Sequence, residues 1–255
     1  MDVSFNSYEE VFGMSIYVMS DIHGEDELFH AMLKQIHFSE KDTLYILGDV
    51  IDRGPNGIAL LQEIMKTPNI VMIRGNHEEM MLQCCDKKAS ALEFLRWNRN
   101  GNAATLAALR RLNVEEQKSI LWYLRSLPNH LRIQVDGITY YLVHGFPSDN
   151  PDEELWKRPV LNEANPIPGT RVIIGHTPVL NLIVPRNDLN RFIRIMDKRN
   201  EHPQILFARG YIDIDCGCSY GEPLKTLGCL RLEDLAEFYE VSKTSQMQQM
   251  IKNAV

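Results

Sequence analysis

Five short segments set metal-binding and proton-moving side chains directly after apolar runs. Asp21 and His23 lie in SDIHG, Asp49, Asp52 and Arg53 in GDVIDRG, Asn76 and His77 in RGNHE, His144 in HGF and His176 in GHT. Asp21, Asp49, Asn76, His23, His144 and His176 make an oxygen and nitrogen ligand set without thiolate. Such a set suits Mn, Fe or Zn in a working site rather than a structural zinc. It is rich enough for two divalent ions sharing one bridging ligand, and Asp49 is the natural bridge. Two ions about 3.5–4 Å apart can hold a hydroxide as nucleophile in line with a leaving oxygen. Their charge outweighs that of two carboxylates and a hydroxide, so the site would draw in a phosphate dianion although the protein as a whole is acidic. Asp52 is placed to orient His77 as a general acid, and Arg53 to reach phosphoryl oxygens with its fork of donors.

Side chains scattered over this much sequence need a scaffold that delivers them to one edge. IYVMS, TLYILGD and NIVMIRGN are short apolar runs separated by helical patterns in EDELFHAMLKQI and GIALLQEIMK, which predicts a parallel sheet with right-handed crossovers. The carboxyl ends of such strands share one side, where open α/β sheets bind ligands. ITYYLV before His144 and RVII before His176 bring the strand ends to five. From Glu79 to Leu127 the pattern is helical, an insertion after the third strand over about residues 80–128. RIQV-DG-ITYYLV reads as a hairpin, because Asp136-Gly137 fits a two-residue type I′ turn. After Pro166 and Pro168 come RVIIGH, a strand-like NLIVP, a charged loop from Arg186 to Arg199, QILFA, YIDIDCG, LGCLRLE and LAEFYEV, read as mostly antiparallel sheet. Residues 1–255 read as one domain, with 1–14 as an N-terminal extension and 242–255 as a C-terminal helix.

At 255 residues, with 44% hydrophobic and 24% charged composition, the chain can bury a full core in a single domain. A formal net charge of -7 argues against nucleic acid and anionic membrane surfaces as partners. No apolar run approaches the roughly 18 residues that cross a bilayer, and the acidic start lacks the features of a secretory signal, so a cytoplasmic location is expected. Cys84, Cys85, Cys216, Cys218 and Cys229 fit no disulfide or zinc-ribbon spacing and are expected to be reduced.

SDIHG, GDVIDRG, GNHE, HG and GHT, in this order, resemble the five motifs of the phosphoprotein phosphatase family of metallophosphoesterases, in particular its compact bacterial and phage members. The resemblance runs from about Ile16 to about Leu232. It implies the calcineurin-like α/β fold, a central β-sandwich flanked by helices. It also implies hydrolysis of phosphomonoesters on serine and threonine, and sometimes tyrosine, of a phosphorylated protein or peptide. By the same resemblance one metal takes Asp21, His23 and Asp49, and the other takes Asp49, Asn76, His144 and His176. His77 with Asp52 is similar to the family's acid pair, and Arg53 and Arg158, the latter in LWKRP, to its phosphate-binding arginines. The expected ions are two divalent metals, Mn first, with Fe and Zn as alternatives. Two departures stand out. Ser20 replaces a glycine that merely precedes a ligand, and Phe146 replaces the second glycine of the usual HGG, which would enlarge the pocket wall.

The remaining histidines, His30, His37, His130 and His202, have no motif context and read as ordinary surface or core residues. Asp213 and Asp215 share one face of a strand, which is either solvated or lies behind the metal ligands. Cys216 and Cys218 read as small buried hydrophobes. The segment from Trp97 to Gly101 resembles a substrate-side segment of bacterial relatives. Three functions compete: a protein phosphatase, a phosphoanhydride hydrolase acting on dinucleoside polyphosphates or nucleotides, and a binding module on an inactive scaffold. The complete ligand set with Asp52 and His77 speaks against the third. Acids in HEEM and PDEELW give the predicted rim a mixed sign, which favours a single phosphate on a peptide over a polyanionic dinucleotide. The sequence leaves the oligomeric state open.

Overall fold

The computed structural model describes residues 14–86, 88–185, 202–222 and 224–242. Among the described residues, ten strands form two five-stranded sheets. The first contains β1 (Ile16–Met19), β2 (Thr43–Ile46), β3 (Ile70–Met72), β9 (Thr226–Arg231) and β10 (Glu237–Val241), in the order β10-β9-β1-β2-β3. The second contains β4 (His130–Val135), β5 (Ile138–Val143), β6 (Arg171–Ile174), β7 (Leu206–Phe207) and β8 (Ile212–Asp213), in the order β4-β5-β6-β8-β7.

The period-two alternation of the strands fixes how these sheets stack. In β1, Val18 faces a core shared with Tyr140 and Leu142 of β5, Ile173 of β6 and Leu230 of β9, so the two sheets pack face to face. Tyr17 and Met19 point the other way, into a second core formed with the helices. Those helices are α1 (Asp26–Gln35), α2 (Gly57–Ile64), α3 (Asn76–Cys84), α4 (Ala91–Arg99), α5 (Ala103–Leu109) and α6 (Val114–Ser126). Phe29 and Met32, Ile58 and Leu61, Met80 and Met81, and Ile120 and Leu124 are their buried contributions. On the outer face of the second sheet, Tyr141, Val143, Val172 and Ile174 build a third core with Phe146 and Tyr211. A one-turn helix, α7 (Pro151–Glu154), follows β5. Strands buried on both faces need apolar residues at every position, which is why IYVM and RVII do not alternate with polar residues.

β1, β2 and β3 pair in parallel as the sequence predicts. Asp136 and Gly137 both have positive φ, 48° and 78°, in the hairpin turn between β4 and β5. Three expectations need correction. The centre of the second sheet is parallel, since β6 pairs in parallel with both β5 and β8. NLIVP begins on the last residue of a 3-10 turn over Val179–Asn181 and makes only a single bridge from Ile183 to Val160, because Pro185 denies it a longer ladder. Helix begins at Asn76 rather than Glu79, because Gly75 and Glu78 cap it there. Residues 1–13, the loop from Arg186 to Arg199 and residues 243–255 lie outside the described residues. No helix among the described residues is long and apolar enough to cross a membrane.

Candidate metal centre

The loops leaving β1 and β2 are joined to each other before either reaches its helix. Asp21 N–H donates to the Gly48 carbonyl at 3.2 Å, His23 N–H to Asp49 at 2.9 Å and Gly24 N–H to Val50 at 2.8 Å. This register aims Asp21, His23 and Asp49 at one point through left-handed backbone, with φ of 53°, 49° and 54°. Asp52, Arg53 and His176 are also left-handed, at 69°, 63° and 64°. A non-glycine residue held there costs about 1–3 kcal/mol. Such clustering of strain marks a site whose geometry the surrounding fold enforces.

Asp49 is at the centre. His144 Nε2 lies 3.4 Å from Asp49 Oδ1, and His23 Nε2 and His77 Nε2 lie 3.7 and 3.8 Å from Oδ2. His23 Nε2 is also 3.9 Å from Asp21 Oδ1. On the other side, Asn76 Oδ1 lies 2.8 Å from His144 Nε2 and 2.9 Å from His176 Nδ1. All six predicted ligands are buried. His144 Nδ1–H donates to the Leu47 carbonyl at 2.6 Å and His23 Nδ1–H to the Ile51 carbonyl at 3.0 Å, so in each ring Nε2 is the atom turned toward the cluster. The first of these bonds also ties β5 to the end of β2, and so joins the two sheets at the site.

The electrostatics of the cluster call for a cation. Burial works against a charged His144, but the Asp49 and Asp21 carboxylates and the Leu47 carbonyl outweigh it and lift its pKa to about 10. His176, buried beside that positive ring, falls to about 3, and burial together with His77 and Arg53 pushes His23 well below its ordinary value. In the metal-free chain the buried carboxylates thus favour a proton on His144, while His23 and His176 are held neutral. Divalent ions placed among these oxygen and nitrogen atoms would take over that proton's role, and the donor set fits them. Two overlapping groups of potential ligands meet at Asp49: His23 with His77, and His144 with His176.

His77 Nδ1–H donates to Asp52 Oδ2 at 2.7 Å, and both side chains are completely buried. Burial opposes a charge on His77, yet Asp49 and Asp52 together raise its pKa above the ordinary value. Arg53 is exposed, with Nη1 2.8 Å from His23 Nε2 and Nη2 3.1 Å from His77 Nε2. Ser219 holds the same guanidinium at 2.9 Å. Arg158 stands apart from this network, exposed on the loop after α7, although its charge helps to lower the pKa of His176.

Several side chains that complete the site had no assigned role in the sequence. Glu78, fully buried, accepts from the backbone N–H groups of Asp49, Val50 and Gly75 at 2.9–3.0 Å and so fixes the Asp49 loop. Burial and the nearby Asp49 charge push its carboxyl up to about 7. A glycine followed three residues later by glutamate, at the start of a helix, was the available signal. Thr105 Oγ1 and Trp97 Nε1 donate to Asp52 at 2.6 and 2.7 Å. Trp97 is therefore buried under the acid pair and does not face substrate. Ser20 does more than precede a ligand, since its hydroxyl donates to Asp21 Oδ2 at 2.5 Å.

Phe146 forms no pocket wall. Its ring points into the core beneath the second sheet, edge-on to Tyr211 at 5.6 Å. Asp213 and Asp215 are buried, not solvated, and Asp213 Oδ2 has no hydrogen-bond partner. Of the acids expected on the rim, Glu78 is buried, Glu79 bonds Arg74 and Glu154 is buried against His130 and Tyr141, while Asp152 and Glu153 are exposed.

Known proteins resemble this chain in sequence and in fold. The profile of calcineurin-like phosphoesterases matches residues 14–224. Serine/threonine-protein phosphatase 2 of Escherichia coli (strain K12) is 31% identical over 140 residues, 54% of this chain and 60% of that protein. A symmetrical bis(5'-nucleosyl)-tetraphosphatase of Nitrosococcus oceani is 32% identical over 137 residues, 52% of this chain and 45% of that protein. The matched region thus spans about half the length of each of these relatives. A solved protein serine/threonine phosphatase of Saccharomyces cerevisiae superposes with a TM-score of 0.55 at 13% identity, covering 91% of this chain and 81% of that one. At that identity the likeness concerns the fold alone.

Proposed function

This chain belongs to the calcineurin-like phosphoesterase family, and from that premise we propose that it is a protein serine/threonine phosphatase. Asp21 and His23 would hold one divalent ion, Asn76, His144 and His176 the other, and Asp49 both. When bound, two such ions supply a water activated at neutral pH and polarise the phosphoryl group. The chain's own residues do the rest. Arg53 releases the two imidazoles and turns its donors to the phosphoryl oxygens, with Arg158 at the rim as a second guanidinium. His77, oriented by Asp52 through Nδ1, presents Nε2 to the leaving oxygen and gives it a proton, a step usually worth about 10²–10⁴ in rate. Although His77 is as close to Asp49 as His23 is, the carboxylate behind its Nδ1 supports its assignment to proton transfer.

The observation that carries the substrate class is the fate of the aromatics. Trp97, which could have stacked on a base, is 1% exposed and committed to Asp52, and Tyr220 is half-buried with its hydroxyl out of solvent. Two exposed guanidiniums beside the cluster suit one phosphate dianion on a peptide. A dinucleoside polyphosphate hydrolase remains the second reading, favoured by the Nitrosococcus relative and by half-buried Trp156, whose ring packs edge-on against His176 at 6.1 Å. A substrate panel on the Mn-loaded protein separates them. We expect phosphoserine and phosphothreonine peptides to give a higher kcat/KM than diadenosine tetraphosphate. A dinucleotide value tenfold above the best peptide, about 1.4 kcal/mol in transition-state binding, would replace the first reading by the second.

A further inference from the structure

The helical insertion reaches under the acid pair with one face. Trp97 at the end of α4, Gly101 in the turn and Thr105 in α5 follow at intervals of four residues and all touch the Asp52-Arg53 dipeptide. Gly101, at φ +93°, accepts the Arg53 N–H at 2.9 Å, and a methyl group on its α-carbon would come within 3.1 Å of Arg53 Cγ. Thr105 Oγ1 accepts the Asp52 N–H at 3.0 Å. That bond settles the direction of the other one: the single hydroxyl proton of Thr105 goes to Asp52 Oδ1. Trp97 Nε1, which can only donate, shares Oδ2 with His77 Nδ1–H. Both carboxylate oxygens are thus directed by the insertion, out of reach of bulk solvent, since Asp52 is 0% exposed. The residue before Trp97 is anchored too, because the Arg96 guanidinium lies 5.1 Å above the Trp156 ring that packs on His176.

We propose that Trp97 and Thr105 are positioning residues of the reaction, which fix the Asp52 carboxylate so that His77 carries its proton on Nδ1 and aims Nε2 at the leaving oxygen. The proposal rests on the phosphatase reading above. If Asp52 could rotate or accept from only one side, the His77 ring would lose its single orientation, and proton delivery would suffer while metal and phosphate contacts remained. The insertion is then part of the catalytic construction, although no atom of Trp97 or Thr105 need touch substrate.

Thr105→Val keeps the shape and removes the hydroxyl; Thr105→Ser restores it; Trp97→Phe keeps an aromatic ring and removes the N–H. With the Mn-loaded protein, Thr105→Val and Trp97→Phe should each lower kcat on a phosphoserine peptide about tenfold, part of the 10²–10⁴ of a full general acid. KM should be unchanged, the loss smaller on an aryl phosphate, and Thr105→Ser close to wild type. In a His77→Asn background the same substitutions should cost nothing further. In the metal-free protein, the downfield proton resonance of His77 Nδ1–H should weaken in Thr105→Val and persist in Thr105→Ser. Equal losses on both substrates and in both backgrounds, or no loss at all, would overturn the proposal. Should Trp97→Phe fail to fold, the Thr105 pair decides alone. A wild-type protein inactive on every phosphomonoester would refute the phosphatase reading itself, a result distinct from an active wild type indifferent to Thr105.

Discussion

Gly75 and Asp49 are in contact so close that a methyl group on the Gly75 α-carbon would overlap the Asp49 amide nitrogen and carboxylate oxygen Oδ1, and come within 2.7 Å of Glu78 Oε2. The helix that presents Asn76 and His77 therefore seats directly on the aspartate proposed to bridge the metals. Gly75→Ala must push Asp49 aside, an overpacking cost of about 1–3 kcal/mol, or about 2–4 °C in Tm per kcal/mol for a chain of this size. We expect it to lower Tm and to reduce bound metal together, as measured by calorimetry and elemental analysis. Gly221→Ala, where a methyl group meets nothing within 4 Å, is the control and should change neither. Unaltered metal content in Gly75→Ala would show that the approach of α3 does not set the position of Asp49.

The buried Asp213 gives a pH-dependent prediction for the metal-free chain. Burial, followed by the neighbouring Asp215 charge, holds its carboxyl well above the usual aspartate value. A raised folded-state pKa means that the fold prefers the protonated form. Stability is then undiminished below the unfolded value of about 4 and falls as pH rises from there toward the folded pKa. Asp213→Asn removes that penalty. Its Tm advantage over wild type should be absent near pH 3.5 and grow toward neutrality, and an advantage independent of pH would contradict it.

Much of the candidate site could be read in the sequence, because each proposed ligand sits within three residues of glycine in a motif that ends a strand, and parallel strands have only one carboxyl edge. The contacts across the sequence could not. Thr105 meets Asp52 across 53 residues, and nothing in ATLAALRRL distinguishes a threonine that caps a carboxylate from one that faces water. The parallel pairing of β6 with β8 was hidden for a related reason: strands covered on both faces look alike whichever way they run. Period two put Asp213 and Asp215 on one side of a strand, but β8 ends at Asp213, and burial there depends on the layers that cover it.

His77→Asn separates proton transfer from metal binding. If His77 serves as the acid, the variant should retain the metal content of wild type and lose about 10²–10⁴-fold in kcat on a phosphoserine peptide. The loss should be smaller on an aryl phosphate, whose leaving group needs less protonation. Loss of one metal equivalent would instead place His77 with His23 and Asp49 as a ligand.

The central claim is that one carboxylate, Asp49, serves two metal ions, and the metal stoichiometry of Asp49→Asn tests it most directly. Reconstituted with Mn, the wild-type protein should bind two equivalents, and the outer-ligand variants His23→Asn and His176→Asn should each weaken mainly one. Asp49→Asn should weaken both, with turnover lower by several orders of magnitude. Two tightly held ions and near-normal turnover in Asp49→Asn would contradict the bridging role and the mechanism built on it.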